Sequence, residues 1–254
     1  MGKSKDLATG ARYVDTSGDT MTGNLLLGSN SIGLGTTSPD EKIHVEGSIL
    51  VDAFNAGNET GIFFREGFTS SNKYNHSILA YDDDGSPDGI SINGYGGVSI
   101  CTGSNSRQER FKVDASGRVT KPNQPAFRAT YIGGQWSLSA NATFVFNRIS
   151  YNIGSNYSTS TGRFTAPVAG VYHFSFYSIQ LGSLNNGQIK VYVNNSRING
   201  GDVHFSPNSG NFWDYVAWNG DLYLNASDYV QVISPSAMTY HGNNWSGFTG
   251  HLVG

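Results

Sequence analysis

The sequence predicts an all-β protein in two parts: a stack of short strand–turn units up to about residue 122, then a denser β head over 123–254. Three observations carry this. Apolar residues alternate with small or polar ones in short runs, and no segment keeps a helical period. The 33 glycines mark many turns, and charged residues make up 14%, against roughly 25% in an ordinary soluble domain. Charge is also uneven. Residues 1–120 carry 10 basic and 15 acidic side chains (net −5), residues 121–254 carry 6 and 4 (net +2), and all four tryptophans lie in the second set. A dense core is expected there.

In chain order, the apolar segments NLLLG, KIHVEGSIL, GIFFREG, HSILAYDDDG, GISINGYGGVSI and RFKVDASGRV recur between turn signals. Two of them echo each other. Ile43, Val45, Gly47 and Ile49 match Phe111, Val113, Gly117 and Val119, with an acidic residue after Val45 and after Val113. Units this small bury little area alone, so neighbouring repeats or neighbouring chains are expected to stabilise them. Pro122 and Pro125 then interrupt both helix and central strand. The resulting segments are 1–60 (attachment and a first shaft repeat), 61–122 (a β-rich shaft unit) and 123–254 (the head).

Within the head, GRFTAPVAGVYHFSF (162–176) alternates large apolar residues with small or polar ones, breaks at Pro167 and Gly170, and resumes with aromatics. Tyr172, Phe174 and Phe176 share one face of a strand, and Val171, His173, Ser175 and Tyr177 share the other. Three aromatics burying about 150–200 Å² each, at ~25 cal/mol per Å², contribute on the order of 10 kcal/mol before entropy is counted, so that face is expected in the core. His173 is expected to be an exposed or interface residue. Further strands are expected in GQIKVYVN, RINGGDVHFS, FWDYVAWNGDLYL, SDYVQVIS and WSGFTGHLV.

Two resemblances add to this reading. Phe146, Asn152, Tyr157, Phe164, Gly170, Tyr172, Phe174 and Phe176 stand at intervals similar to the signature of the C1q-like domain family, and the likeness runs over about 123–254. It includes the closing WSGFTGHLV, where His251 replaces a usual apolar residue. The resemblance implies a ten-stranded jelly roll, related to the tumour-necrosis-factor fold, that assembles as a homotrimer. It makes Phe146, Tyr157, Phe164, Tyr172, Phe174, Phe176, Trp218 and Phe248 the core or trimer residues. Earlier in the chain, TSGDTMTGNL (16–25) and IGLGTTSP (32–39) followed by KIHV (42–45) resemble phage tail-fibre shaft phrases. They imply a trimeric, β-rich fibre segment. No glycine keeps a three-residue period, so the stalk is not collagen.

With both head termini at the stalk side, antiparallel order puts the connections 182–187, 206–211 and 235–244 at the far tip. Their Asn185, Asn186, Asn208, Asn211, Tyr240, His241, Asn243 and Asn244 are the receptor-binding candidates. Amides bond sugar hydroxyls and aromatic faces cover sugar CH surfaces, so a cell-surface glycan suits them; a protein receptor stays open. The expected function is non-enzymatic adsorption to a host cell. The alternatives are a purely structural trimerisation role in the virion and a secreted C1q-like binding protein. No GxSxG, P-loop, HExxH or GxGxxG is present, and the six histidines form no spaced zinc cluster. In the run Asp82, Asp83, Asp84 an EF-hand would need Glu at the twelfth place, where Asn93 stands. No cofactor is expected, although a structural Ca²⁺ near the trimer axis stays open. A formal charge of −3 without a Lys/Arg run gives no basis for nucleic-acid binding. No apolar stretch is long enough to span a membrane. MGKSKDLATG has no apolar signal core, so synthesis in the host cytoplasm and location in the virion tail fibre are expected, with other tail proteins bound through the N-terminus.

Overall fold

A computed structural model describes residues 31–50, 61–64, 72, 74–82, 87–103, 107–181, 187–205 and 213–254. The chain divides into two compact units, residues 1–73 with 77–92, and residues 74–76 with 93–254.

In the first unit, β1 (Ile32–Leu34) and β2 (Ile43–Val45) pair in parallel, with Ile32 opposite Ile43 and Leu34 opposite Val45. The Ile32 and Glu46 amides extend the ladder to the Lys42 and Leu34 carbonyls, each at 2.8 Å. The IGLGTTSP…KIHV phrase is therefore one closed loop between paired strands. β3 (Gly61–Phe63), β4 (His76–Asp82) and β5 (Pro87–Gly94) form a three-stranded sheet. Leu79 and Ser77 are buried in it, while Ile62, Ile90 and Ile92 are exposed. The phrase TSGDTMTGNL and the carboxylates Asp83 and Asp84 lie outside the described residues.

The second unit opens with β6 (Gly97–Thr102), β7 (Gln108–Asp114) and β8 (Val119–Thr120). Their register sets Val98, Val113 and Val119 in one row and Ile100 beside Phe111 in the next, so this sheet has one apolar face. The β7–β8 turn is held by Asp114. Its carboxylate accepts the Ser116 and Arg118 amides at 2.8 and 3.0 Å and pairs with the Arg118 guanidinium at 2.7 Å. Those partners, the Arg118 amide first, hold the Asp114 carboxyl below the usual carboxylate range.

The head is a two-sheet jelly roll. The first sheet contains β9 (Ala126–Thr130), β10 (Gln135–Leu138), β12 (Arg148–Ile153), β15 (Gly170–Leu181), β18 (Trp213–Leu224), β20 (Met238–His241) and β21 (Gly247–Leu252). The second contains β11 (Ala142–Thr143), β13 (Tyr157–Ser158), β14 (Arg163–Thr165), β16 (Gly187–Val193), β17 (Ser196–Phe205) and β19 (Tyr229–Ser234). β15 is central: β18 pairs along its whole length on one side, and β21 then β20 share the other. The expected count of ten strands rises to thirteen among the described residues, because pairings as short as those of β11 and β13 count as strands. The stretch 235–244, expected as one loop, contains β20, which finds its partners in β10 and β15.

Phe146, Tyr157, Phe164, Tyr172, Phe174, Phe176, Trp218 and Phe248 are all buried in one cluster between the sheets. Phe127 stacks on Tyr157 and Phe164 with centroids 4.8 and 5.1 Å away and meets Phe248 edge-on at 5.0 Å. Such pairs contribute about 0.5–1.5 kcal/mol each beyond their buried area. Asn152 acts as a backbone surrogate: its amide donates to the Tyr157 carbonyl at 2.9 Å and its oxygen accepts the Tyr157 N–H at 3.1 Å. The Tyr157 hydroxyl in turn accepts the Phe146 N–H at 3.1 Å, and burial pushes its ionisation well above the ordinary phenol range.

Candidate functional site

The register of the first sheet decides what its outer face presents. Directly opposed outward pairs on β15 and β18 are Val171–Tyr223, His173–Asp221, Ser175–Asn219, Tyr177–Ala217, Ile179–Tyr215 and Leu181–Trp213. Tyr223, Tyr215 and Trp213 are 68%, 64% and 51% exposed, although they are the kind of side chain that normally seeks cover. His173 and His251 are neighbours on this face, with ring centroids 5.5 Å apart, and His173 Nδ1 lies 2.7 Å from Asp221 Oδ1. The outward residues of the second sheet differ. Arg163 donates to Gln231 at 2.8 Å and stacks over Tyr229 at 4.2 Å, Gln231 donates to Asn195 at 3.0 Å, and Lys190 and Tyr192 follow along β16. The first outer face carries exposed aromatics at both ends with the polar pairs His173–Asp221 and Ser175–Asn219 between them; the second carries a hydrogen-bonded polar network beside Tyr192, Tyr229 and Ile233.

At the end of the first sheet away from Pro125 and Gly254, β20 and β21 are separated by a 3₁₀ turn over Asn243–Trp245. The turn is anchored on the 131–134 loop: the Gly242 amide donates to the Gly134 carbonyl at 2.6 Å, and the Gly133 amide to Asn243 Oδ1 at 3.2 Å. Gly242 is required by the close approach, since a Cβ there would stand 2.5 Å from the Gly133 carbonyl oxygen. Asn243 has φ +55, a left-handed conformation that asparagine tolerates better than most residues. Beneath the turn, the Ser246 hydroxyl lies 2.9 Å from that of Ser178 and donates to the His241 carbonyl.

That anchorage gathers three rings. His241 stands 4.9 Å from Trp213 and 5.9 Å from Trp245, and the two indoles meet edge-on at 5.8 Å. Beside them a depression of about 370 Å³ is lined by Tyr177, Ile179, Tyr215, Asn244 and Trp245. Of the receptor-binding candidates, His241, Asn243 and Asn244 come together here, with both asparagines exposed. Asn185, Asn186, Asn208 and Asn211 lie outside the described residues. Tyr240 is corrected. It is fully buried, because strand alternation turns it to the opposite side from His241, where its ring meets Phe144 at 4.6 Å and its hydroxyl meets that of Ser234 at 2.8 Å. Burial lifts its pKa to about 12. It is a core residue. Trp213, Tyr215 and Trp245 were not expected at this place; their common signal is a large aromatic next to an Asn/Gly-rich connection.

Among the described residues no group of three or more His, Cys, Asp or Glu side chains is placed to hold a metal ion, and no helix is long and apolar enough to cross a membrane. The globular domain of zebrafish complement 1qA is similar to this chain at 21% identity, covering 52% of this chain and 98% of that one, with a TM-score of 0.41. Eiger TNF from S. frugiperda is similar at 16% identity over 52% and 94%, with a TM-score of 0.44. Murine APRIL is similar at 9% over 51% and 99%, with a TM-score of 0.42. The C1q domain model matches residues 126–253, from the first residue of β9 to just past β21 and thus both sheets of the head. The chain belongs to the C1q domain family.

Proposed function

We propose that this chain is a homotrimeric receptor-binding protein of a viral tail fibre, acting by adsorption rather than catalysis. The carrying observation is the contrast between the two outer faces of the head. Val171 and Tyr223 at one end of β15 and β18, and Tyr215 and Trp213 at the other, leave uncovered apolar side chains on the first sheet on either side of the His173–Asp221 and Ser175–Asn219 pairs, whereas the second sheet ties Arg163, Gln231 and Asn195 together by hydrogen bonds. Large uncovered apolar patches mark interaction surfaces, and three identical copies around a closed axis shield one another's. C1q domains are in general trimeric binding modules rather than enzymes, which supports the same assembly.

The viral assignment rests on TSGDTMTGNL and on the IGLGTTSP…KIHV loop, together with sheets before residue 121 that expose Ile62, Ile90, Ile100 and Val119. Chains laid side by side in a shaft cover such residues. In this reading the N-terminus docks to other tail proteins, the protein is made in the host cytoplasm and resides in the virion, and the head tip meets a glycan or protein on the host cell. Three weak tip sites on one particle act together through effective concentration, so millimolar contacts suffice to hold it.

The test is adsorption: fluorescently labelled full-length protein is applied to a panel of bacterial strains, and phage attachment is scored with and without it. Saturable binding that blocks attachment on the same strains supports the reading. A trimer that binds no strain favours a purely structural fibre role.

A further inference from the structure

Resting on the receptor-binding reading, we propose that the outer face of the second sheet binds an acidic polysaccharide of the uronate type, with Arg163 as its carboxylate-binding residue. Association through the first sheet leaves this face open in the assembly. Its register lines up one row across five strands: Ser158 on β13, Arg163 on β14, Gln231 on β19, Tyr192 on β16 and Arg197 on β17. Four strand spacings make that row about 19 Å long, room for an extended oligosaccharide. Arg163 is fixed before any ligand arrives. Its Nε donates to Gln231 Oε1 at 2.8 Å, and its guanidinium lies 4.2 Å over the Tyr229 ring. Gln231 is 2% exposed and donates in turn to Asn195 at 3.0 Å. Asn195 belongs to the β16–β17 turn, where Asn194 Oδ1 accepts the Tyr229 N–H at 3.0 Å and so ties the turn to the ring under Arg163. The Nε is thereby spent and one guanidinium face is covered, whereas the two Nη amino groups have no hydrogen-bond partner among the described residues. They form a fork that matches the two oxygens of a carboxylate.

Charge sets the sign of the ligand. Arg197 takes both carboxylate oxygens of Asp202, and Lys190, opposite Asp202 in the register, makes no ion pair among the described residues. Asp228, next to Tyr229, has its two oxygens taken by Asn194 and Asn225. Arg163 and Lys190 are therefore the cations left over on this face. The fork alone accepts carboxylate or phosphate, and its surroundings decide between them. Lys190 lies two strand spacings from Arg163, about 10 Å, so no second cation converges on a single dianion. The nearer groups are the hydroxyls of Ser158 and Tyr192 and the amide of Asn195, which donate and accept as sugar hydroxyls do. One exposed ion pair holds little, so binding builds up from repeated contacts along the polymer and from three copies of the face.

The experiment passes polygalacturonate over the immobilised full-length protein, with dextran as the neutral control and dextran sulfate and polyphosphate as other polyanions. Cell adsorption is measured in parallel. Polygalacturonate is expected to bind in preference to all three. Its affinity should fall at least tenfold in Arg163→Gln and nearly as far in Arg163→Lys, which keeps the charge and loses the fork. Lys190→Gln should weaken it severalfold, with the native mass unchanged in every variant. If Arg163→Gln lowers the unfolding midpoint, Arg163→Lys and Lys190→Gln carry the comparison. Two outcomes overturn the site: dextran sulfate or polyphosphate binds as tightly as polygalacturonate, or Arg163→Lys and Lys190→Gln both bind it as the parent does. Protein that adsorbs to cells but takes no polygalacturonate overturns the site alone. Protein that does neither overturns the receptor-binding reading with it.

Discussion

Gly250 lies directly against Phe174: a Cβ on Gly250 would stand 2.4 Å from Cδ1 of the phenylalanine and 2.9 Å from the ring of Phe127. The sandwich closes over that missing side chain. Gly250→Ala forces packed rings to move, and overpacking of this kind costs about 1–3 kcal/mol. Its denaturation midpoint is expected well below that of the parent, with an unchanged slope on denaturant; an unchanged midpoint would show that the two sheets have slack there.

Asn152 holds both polar backbone groups of Tyr157. Asn152→Ala leaves a half-buried N–H and C=O without that partner, and each such loss costs about 1–3 kcal/mol. Chemical unfolding is expected to show a loss in that range, and hydrogen exchange at the Tyr157 amide to speed up. Parent-like exchange there would mean that the side chain is dispensable.

Alkaline pH tests the burial of Tyr157 and Tyr240. Both pKa values are raised by burial, that of Tyr240 to about 12. A phenol whose folded pKa exceeds its unfolded one, about 10, gives stability that is complete below the unfolded value. That stability is lost as pH climbs toward the folded value. The thermal midpoint is therefore expected to hold steady up to about pH 9 and to fall between about pH 10 and 12. In Tyr240→Phe the fall should be shallower. A midpoint independent of pH in that interval would contradict the buried placement.

The fold was legible where the signal is local. Tyr172, Phe174 and Phe176 alternate with polar neighbours, and period two alone sends them inward. The same rule, applied from the correct start of β20, sends Tyr240 inward and His241 outward. It was missed because MTYH has too little apolar pattern to look like a strand, and its partner Trp136 comes from a pairing across about a hundred residues of sequence. The ring cluster of Trp213, His241 and Trp245 was hidden for a similar reason. His241 and the start of β18 become neighbours only because both border the end of β15, at Ile179 and Leu181. Composition could announce aromatics near the tip connections, not which of them meet.

Charge placed on the first sheet's outer face should divide the assembly, and charge on the second sheet should not. Tyr223→Glu and Val171→Glu are expected to raise the dissociation constant of the trimer at least tenfold, while Lys190→Glu leaves it within twofold. Light scattering over a dilution series reads this directly. Equal effects on the two faces would place the contact elsewhere.

Association through that face is the central claim, and the native mass tests it most directly. Sedimentation equilibrium of the full chain at micromolar concentration is expected to give about three times the 27.3 kDa of one chain. A stable, soluble species at 27.3 kDa, with Tyr215 and Tyr223 open to solvent, would contradict it.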